Sequence, residues 1–130
     1  MTNIRTGGLL ISLATAGILG LAACGGGDSS GSDESVPADA LVVEALDIKF
    51  DKDEYTSPAG ATDIAYVSEG QQVHTLVVFD ENNQKVGETM RVNPGQTQVE
   101  AFDLPAGTYT LICDVPGHKD AGMVATLTTS

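Results

Sequence analysis

Cys113-Asp114-Val115-Pro116-Gly117-His118-Lys119-Asp120-Ala121-Gly122-Met123 is the stretch that decides how this chain folds. Four residues separate Cys113 from His118, and four more separate His118 from Met123. The run Gly107-Thr108-Tyr109-Thr110-Leu111-Ile112 leads into it, and an alternating run over residues 123–128 leads out. This pattern predicts a strand ending at Cys113, a loop turned back by Pro116-Gly117, and a strand beginning at Met123. A thiol, an imidazole and a thioether are thereby carried on one loop between two strands.

The rest of the chain offers few further metal-binding side chains. It has two His, two Cys and three Met in all. The second histidine, His74, lies in the apolar run over residues 73–79, far from the loop in sequence. Two imidazoles, one thiolate and one thioether are the donors of a mononuclear blue-copper site, with His74, Cys113 and His118 in a plane and Met123 as a weak axial ligand. Each residue alone has a blander reading. Cys113 would be an inert core thiol, His74 a structural imidazole, His118 a loop residue and Met123 packing. The conjunction favours metal, because both histidines and the one cysteine of the folded part fall at ligand positions. Zinc is the competing ion, but structural zinc sites rarely take Met. No Cys-x-x-Cys-His or Cys-x-x-Cys motif occurs, so haem attachment and a dithiol redox pair are not predicted. A binuclear copper centre would need a second Cys in the loop. No serine sits in a nucleophile elbow, so the chain is read as a non-enzyme.

Working outward, the segment from residue 41 is a series of short apolar runs cut by turn residues. Leu41–Leu46 is the first, with Ile48-Lys49-Phe50 read as its extension and Asp51-Lys52-Asp53-Glu54 as its end. Residues 62–68, 73–79, 97–102, 108–113 and 123–128 follow, and 86–92 is ambiguous. Asp80-Glu81-Asn82-Asn83, Asn93-Pro94-Gly95 and Pro105-Ala106-Gly107 supply turns. Strands at this spacing, with no long 3.6-residue period, predict an all-β Greek-key sandwich or barrel over residues 41–130.

The N-terminal part reads as an address and a tether. Arg5 precedes a small apolar stretch, and Leu21-Ala22-Ala23-Cys24 resembles the lipobox of bacterial lipoproteins. The resemblance implies a signal peptide over residues 1–23 and a diacylglycerol on Cys24, hence an exported protein anchored on the extracytoplasmic face of a bacterial membrane. An ordinary secretory signal and an uncleaved membrane helix are the alternatives, although the stretch is short and glycine-rich for spanning lipid. Residues 24–40, rich in Gly, Ser and acids, read as a flexible linker with a reach of roughly 20–24 Å.

Six Lys and Arg against 18 Asp and Glu give a net charge of −12. Such a surface repels phosphate backbones, so no nucleic-acid role is expected. It suits a partner with a basic docking face, though acidity that only maintains solubility explains it as well.

The run into Cys113, the layout of residues 113–118 and the His118-to-Met123 spacing together resemble the cupredoxin family, over about residues 41–128. The first part of the loop is similar to azurin, and the second to rusticyanin and auracyanin. The resemblance implies a monomer that holds one copper ion and passes single electrons to a transient redox partner such as a cytochrome, an oxidase or a copper reductase. A copper-delivery or copper-storage lipoprotein on the same fold is the alternative. It also implies that Thr75, standing where many members have Asn, offers its backbone N–H to the Cys113 sulfur and pins the loop, with a shorter side chain than Asn. The His118 edge is expected at the surface among Val115, Pro116, Gly117, Ala121 and Gly122.

Overall fold

The computed structural model describes residues 34–130. The predicted signal peptide, Cys24 and the linker up to residue 33 lie outside the described residues. Nine strands run in the order β1 (Leu41–Leu46), β2 (Lys49–Phe50), β3 (Glu54–Ser57), β4 (Gly60–Ser68), β5 (His74–Phe79), β6 (Lys85–Val92), β7 (Thr97–Leu104), β8 (Gly107–Ile112) and β9 (Val124–Thr129). No helix occurs among the described residues. The strands form two sheets, ordered β2-β1-β4-β7 and β3-β9-β8-β5-β6. Pairing is parallel in β1–β4 and β3–β9 and antiparallel elsewhere.

Strand alternation builds the core between the sheets. In β9 every second residue is buried, with Ala125, Leu127 and Thr129 inward. In β8, Tyr109 and Leu111 point inward while Thr108 and Thr110 face water, and Cys113 continues the inward series one step past the strand. Val43, Ala45, Ile64 and Tyr66 answer from the four-stranded sheet. Apolar burial of this kind is the main favourable term in folding.

Three features depart from the sequence reading. Ile48-Lys49-Phe50 does not extend β1. The chain reverses at Asp47-Ile48, with Ile48 at φ 63°, and β2 pairs back on β1 through Leu46↔Lys49 and Ala45↔Phe50. A β-branched residue at positive φ is a true outlier, which no turn rule selects from sequence. Glu54, read as part of a break, instead opens β3, an edge strand that pairs parallel with β9. Cys113 and Met123 are the first residues beyond β8 and before β9 rather than members of them. The ambiguous run over residues 86–92 is strand, as β6. Gly87, at φ 67°, lies beside the register shift between β5 and β6, and a Cβ there would stand 2.5 Å from a Phe102 ring carbon.

Candidate metal centre

The site is built where β5 begins, β8 ends and β9 begins, at one end of the five-stranded sheet. Cys113 and Met123 face each other across the base of the loop, where Cys113 N donates to Met123 O at 3.2 Å. Inside it, Val115-Pro116-Gly117-His118 is a β-turn closed by His118 N to Val115 O at 3.0 Å. Pro116 supplies the fixed φ of the second position, and Gly117 at φ 86° supplies the positive φ of the third, as a type II turn requires. His118 O then accepts from Met123 N at 3.0 Å. The backbone of His118 is therefore bonded on both sides, which fixes where its side chain leaves the loop.

His74, Cys113 and His118 come together. Their ligand atoms all lie within 4.8 Å of one another, and all three residues are buried. The Cys113 Sγ to His118 Nδ1 distance is 3.5 Å, and the two imidazole centroids are 5.1 Å apart with rings inclined at 51°. His74 is fully buried, and neither its Nδ1 nor its Nε2 has a hydrogen-bond partner. Two orphaned polar atoms in a core are costly unless something else binds them. A metal ion taken by one ring nitrogen supplies such a partner, so the residues present fit a bound cation. The donors, a soft thiolate and two imidazoles, suit copper. Burial pushes His74 below the ordinary imidazole value, the facing His118 adds to this, and Asp47 opposes it. Met123 is fully buried and joins the same core cluster as Cys113. His118 keeps 6% exposure where His74 has none. Around it Val115 is half-buried, and Pro116, Gly117, Ala121 and Gly122 are exposed.

Thr75 braces the centre from β5. Its N–H donates to Cys113 Sγ at 3.4 Å. Its hydroxyl accepts from Asp114 N at 2.9 Å and donates to Asp114 Oδ1 at 2.5 Å. The same hydroxyl oxygen lies 3.5 Å from Cys113 Sγ. One Thr side chain thus reaches the loop despite being shorter than Asn, because the residue after the cysteine leans back to meet it.

Three residues near the centre were not singled out from sequence. Asp114 meets Thr75 only through the fold. Tyr66, wholly buried in β4, crosses the sandwich to donate to Thr75 O at 3.0 Å. Gly70 leaves room for a close approach, since a Cβ there would lie 2.5 Å from Asp47 Oδ1 and 3.2 Å from His74 Nε2. Asp47 in turn accepts from Gln71 N at 2.7 Å. Spacing along the chain carries no signal for any of these, because each depends on which strands pair.

A two-sheet sandwich with a buried His-Cys-His cluster at the end of one sheet defines a cupredoxin. The chain belongs to the family described as copper binding proteins, plastocyanin/azurin family, whose model matches residues 38–130. Its cofactor is a single copper ion. Among solved structures it is similar to auracyanin B, with 23% identity and a TM-score of 0.65, covering 78% of this chain and 95% of that one. A dithionite-reduced auracyanin from the photosynthetic bacterium Roseiflexus castenholzii is similar at 19% identity and a TM-score of 0.63, with 73% and 99% covered. Auracyanin A, a blue copper protein of Chloroflexus aurantiacus, is similar at 22% identity and a TM-score of 0.62, with 70% and 98% covered. At these identities the likeness is one of fold. No curated protein matches the chain.

Proposed function

We propose that this protein is a single-electron carrier whose copper ion is held by His74, Cys113 and His118 in a plane, with Met123 as the weak axial donor. The observation that carries the reading is the convergence of the three ligand atoms, within 4.8 Å, on a fully buried imidazole that has no other partner. When bound, copper supplies a one-electron couple between Cu(I) and Cu(II). The chain's own residues keep the donors fixed in both states. Cys113 is tied to Met123 and Thr75, and His118 to Val115 and Met123. Donors held this way move little on electron transfer, so little energy goes into rearrangement. Pro116, Gly117, Ala121 and Gly122 are small exposed residues around His118 in the same loop as the exposed pair Lys119-Asp120, and suit brief contact with a redox partner. The acidic surface favours a partner with a basic face.

Cys24 completes the reading as a lipid anchor that holds the domain on the extracytoplasmic face of a membrane, with residues 25–40 as the spacer. Replacing Cys24 by Ala should release the protein from the membrane fraction. A protein that stays membrane-bound without Cys24 would remove this part of the proposal.

The test of the central reading is one equivalent of Cu(II) added to the purified protein. An intense blue absorption, arising from thiolate-to-copper charge transfer, is the expected result. A colourless adduct formed only with Cu(I) would instead assign the protein to copper delivery or storage.

A further inference from the structure

The Thr75 hydroxyl has one hydrogen to give, and two acceptors stand before it. Asp114 Oδ1 lies at 2.5 Å and Cys113 Sγ at 3.5 Å. The first distance is that of a charge-assisted O–H···O⁻ bond, which is about twice as strong as a neutral one. The second is within ordinary reach for sulfur, but sulfur is the weaker and more diffuse acceptor. The hydroxyl's oxygen is also engaged, since Asp114 N donates to it at 2.9 Å. Asp114 therefore grips Thr75 twice, by its own N–H and by its carboxylate, and Thr75 is buried to 5% exposure beneath it. The Cys113 sulfur is left with the Thr75 backbone N–H at 3.4 Å as its donor from β5.

We propose that Asp114 is a positioning residue for the copper thiolate: its carboxylate holds the Thr75 hydroxyl proton away from Cys113 Sγ and so limits the hydrogen bonding that the sulfur receives. The proposal rests on the reading of Cys113 as the copper thiolate. Hydrogen bonding around the cysteine sulfur tunes the potential of a blue-copper site. A donor aimed at the sulfur stabilises its electron-rich form, which favours the reduced state and raises the energy of the sulfur-to-copper transition. With Asp114 in place the hydroxyl is turned outward, and both quantities stay lower than the composition of the shell would otherwise allow. The arrangement is a consequence of two residues this chain pairs across β5 and the loop: a hydroxyl next to His74 and a carboxylate next to Cys113.

The test uses the full copper-loaded protein and four variants: Asp114→Ala, Asp114→Asn, Thr75→Val, and Asp114→Ala combined with Thr75→Val. The readouts are the wavelength of the charge-transfer band and the D2O-induced shift of the copper–sulfur stretch in resonance Raman spectra. Asp114→Ala should free the hydroxyl, move the band to shorter wavelength and enlarge the deuterium shift. In the Thr75→Val background the same change should move neither. Asp114→Asn keeps an acceptor oxygen while removing the charge, so its band should stay near that of the parent. It also serves as a check that does not depend on the Thr75→Val fold. Equal displacement by Asp114→Ala in both backgrounds overturns the proposal, because the carboxylate then acts through its charge alone. No displacement in either overturns it too, because the hydroxyl then never turns to sulfur. A parent protein with no charge-transfer band overturns the copper-thiolate reading itself and this proposal with it, a result separable from the other two.

Discussion

The two sheets of this sandwich divide its labour unequally. The five-stranded sheet carries every proposed ligand: His74 at the start of β5, Cys113 beyond β8, and Met123 before β9, with His118 in the loop between the last two. The four-stranded sheet carries none. It contributes Val43, Ala45, Ile64 and Tyr66 to the core, all fully buried. Only through Tyr66, whose hydroxyl reaches Thr75 O, does it join the hydrogen bonding around the centre. Burial pushes the Tyr66 phenol up, with Cys113 reinforcing this, so it remains a neutral donor. The contrast teaches that both walls build the core but only one carries the proposed ligands, so substitutions on the other wall should change stability without changing the chemistry.

The sharpest way to break that contrast is Cys113→Ser. Loss of the thiolate should abolish the visible band entirely, while the domain still unfolds cooperatively in urea. If the intense band survives at its original strength, the metal does not use Cys113. On the opposite wall, Ile64→Ala removes a fully buried side chain and should cost about 2–5 kcal/mol of stability. Its folded form should keep the colour of the parent. A bleached but stable Ile64→Ala protein would mean the two walls are not independent.

Met123→Leu tests the boundary between the roles, since Met123 is both core and proposed ligand. Similar volume limits the packing loss to under about 1.5 kcal/mol. The planar donors remain, so the band should persist. Without an axial sulfur to stabilise Cu(II), the reduction potential measured by voltammetry should rise. An unchanged or lowered potential would leave Met123 as a core residue alone.

The smallest effect concerns the metal-free protein. Folding places His74 where burial disfavours its charge, with His118 adding to the effect, so its folded value lies below the unfolded one. The unfolded chain therefore binds the proton first as pH falls. Stability should be fully present above about 6.5 and decline as pH drops through the lowered folded value. Asp51, for which burial is outweighed by hydrogen bonds from Tyr55, Lys52 and Glu44 N, is also held below its ordinary value and acts in a more acidic window. Urea midpoints measured between pH 8 and 5 on the metal-free protein should fall towards the acid end. Midpoints flat across that range would show that His74 carries no such penalty.

What the sequence disclosed follows the same division. The loop of proposed ligands was legible because Cys113, His118 and Met123 are close along the chain, with Pro116-Gly117 as its turn and alternating strands on either side. His74 was legible for a different reason: it is the one remaining imidazole. The apolar runs located β1, β4, β5, β7, β8 and β9 to within a residue or two. β3 was not legible, because of its four residues only Tyr55 is buried and its first is a charged residue in an acidic cluster. β2 was misread because the reversal depends on Ile48 at positive φ. Asp114, Gly70 and Tyr66 could not be found at all from spacing. Their partners are set by strand register, which a linear pattern does not encode.

The position of β9 has a consequence for how the molecule is made. It is the last of the described strands, yet it lies inside the five-stranded sheet, between β3 and β8. β3 therefore has no partner in this sheet until β9 is available, and such distant pairing is slow to form. His74 precedes the loop that carries the other proposed ligands, Cys113, His118 and Met123. The proposed site cannot close until that loop has been made. If the proposed tether at Cys24 holds and the chain is threaded unfolded through a membrane channel, copper would be captured on the far side.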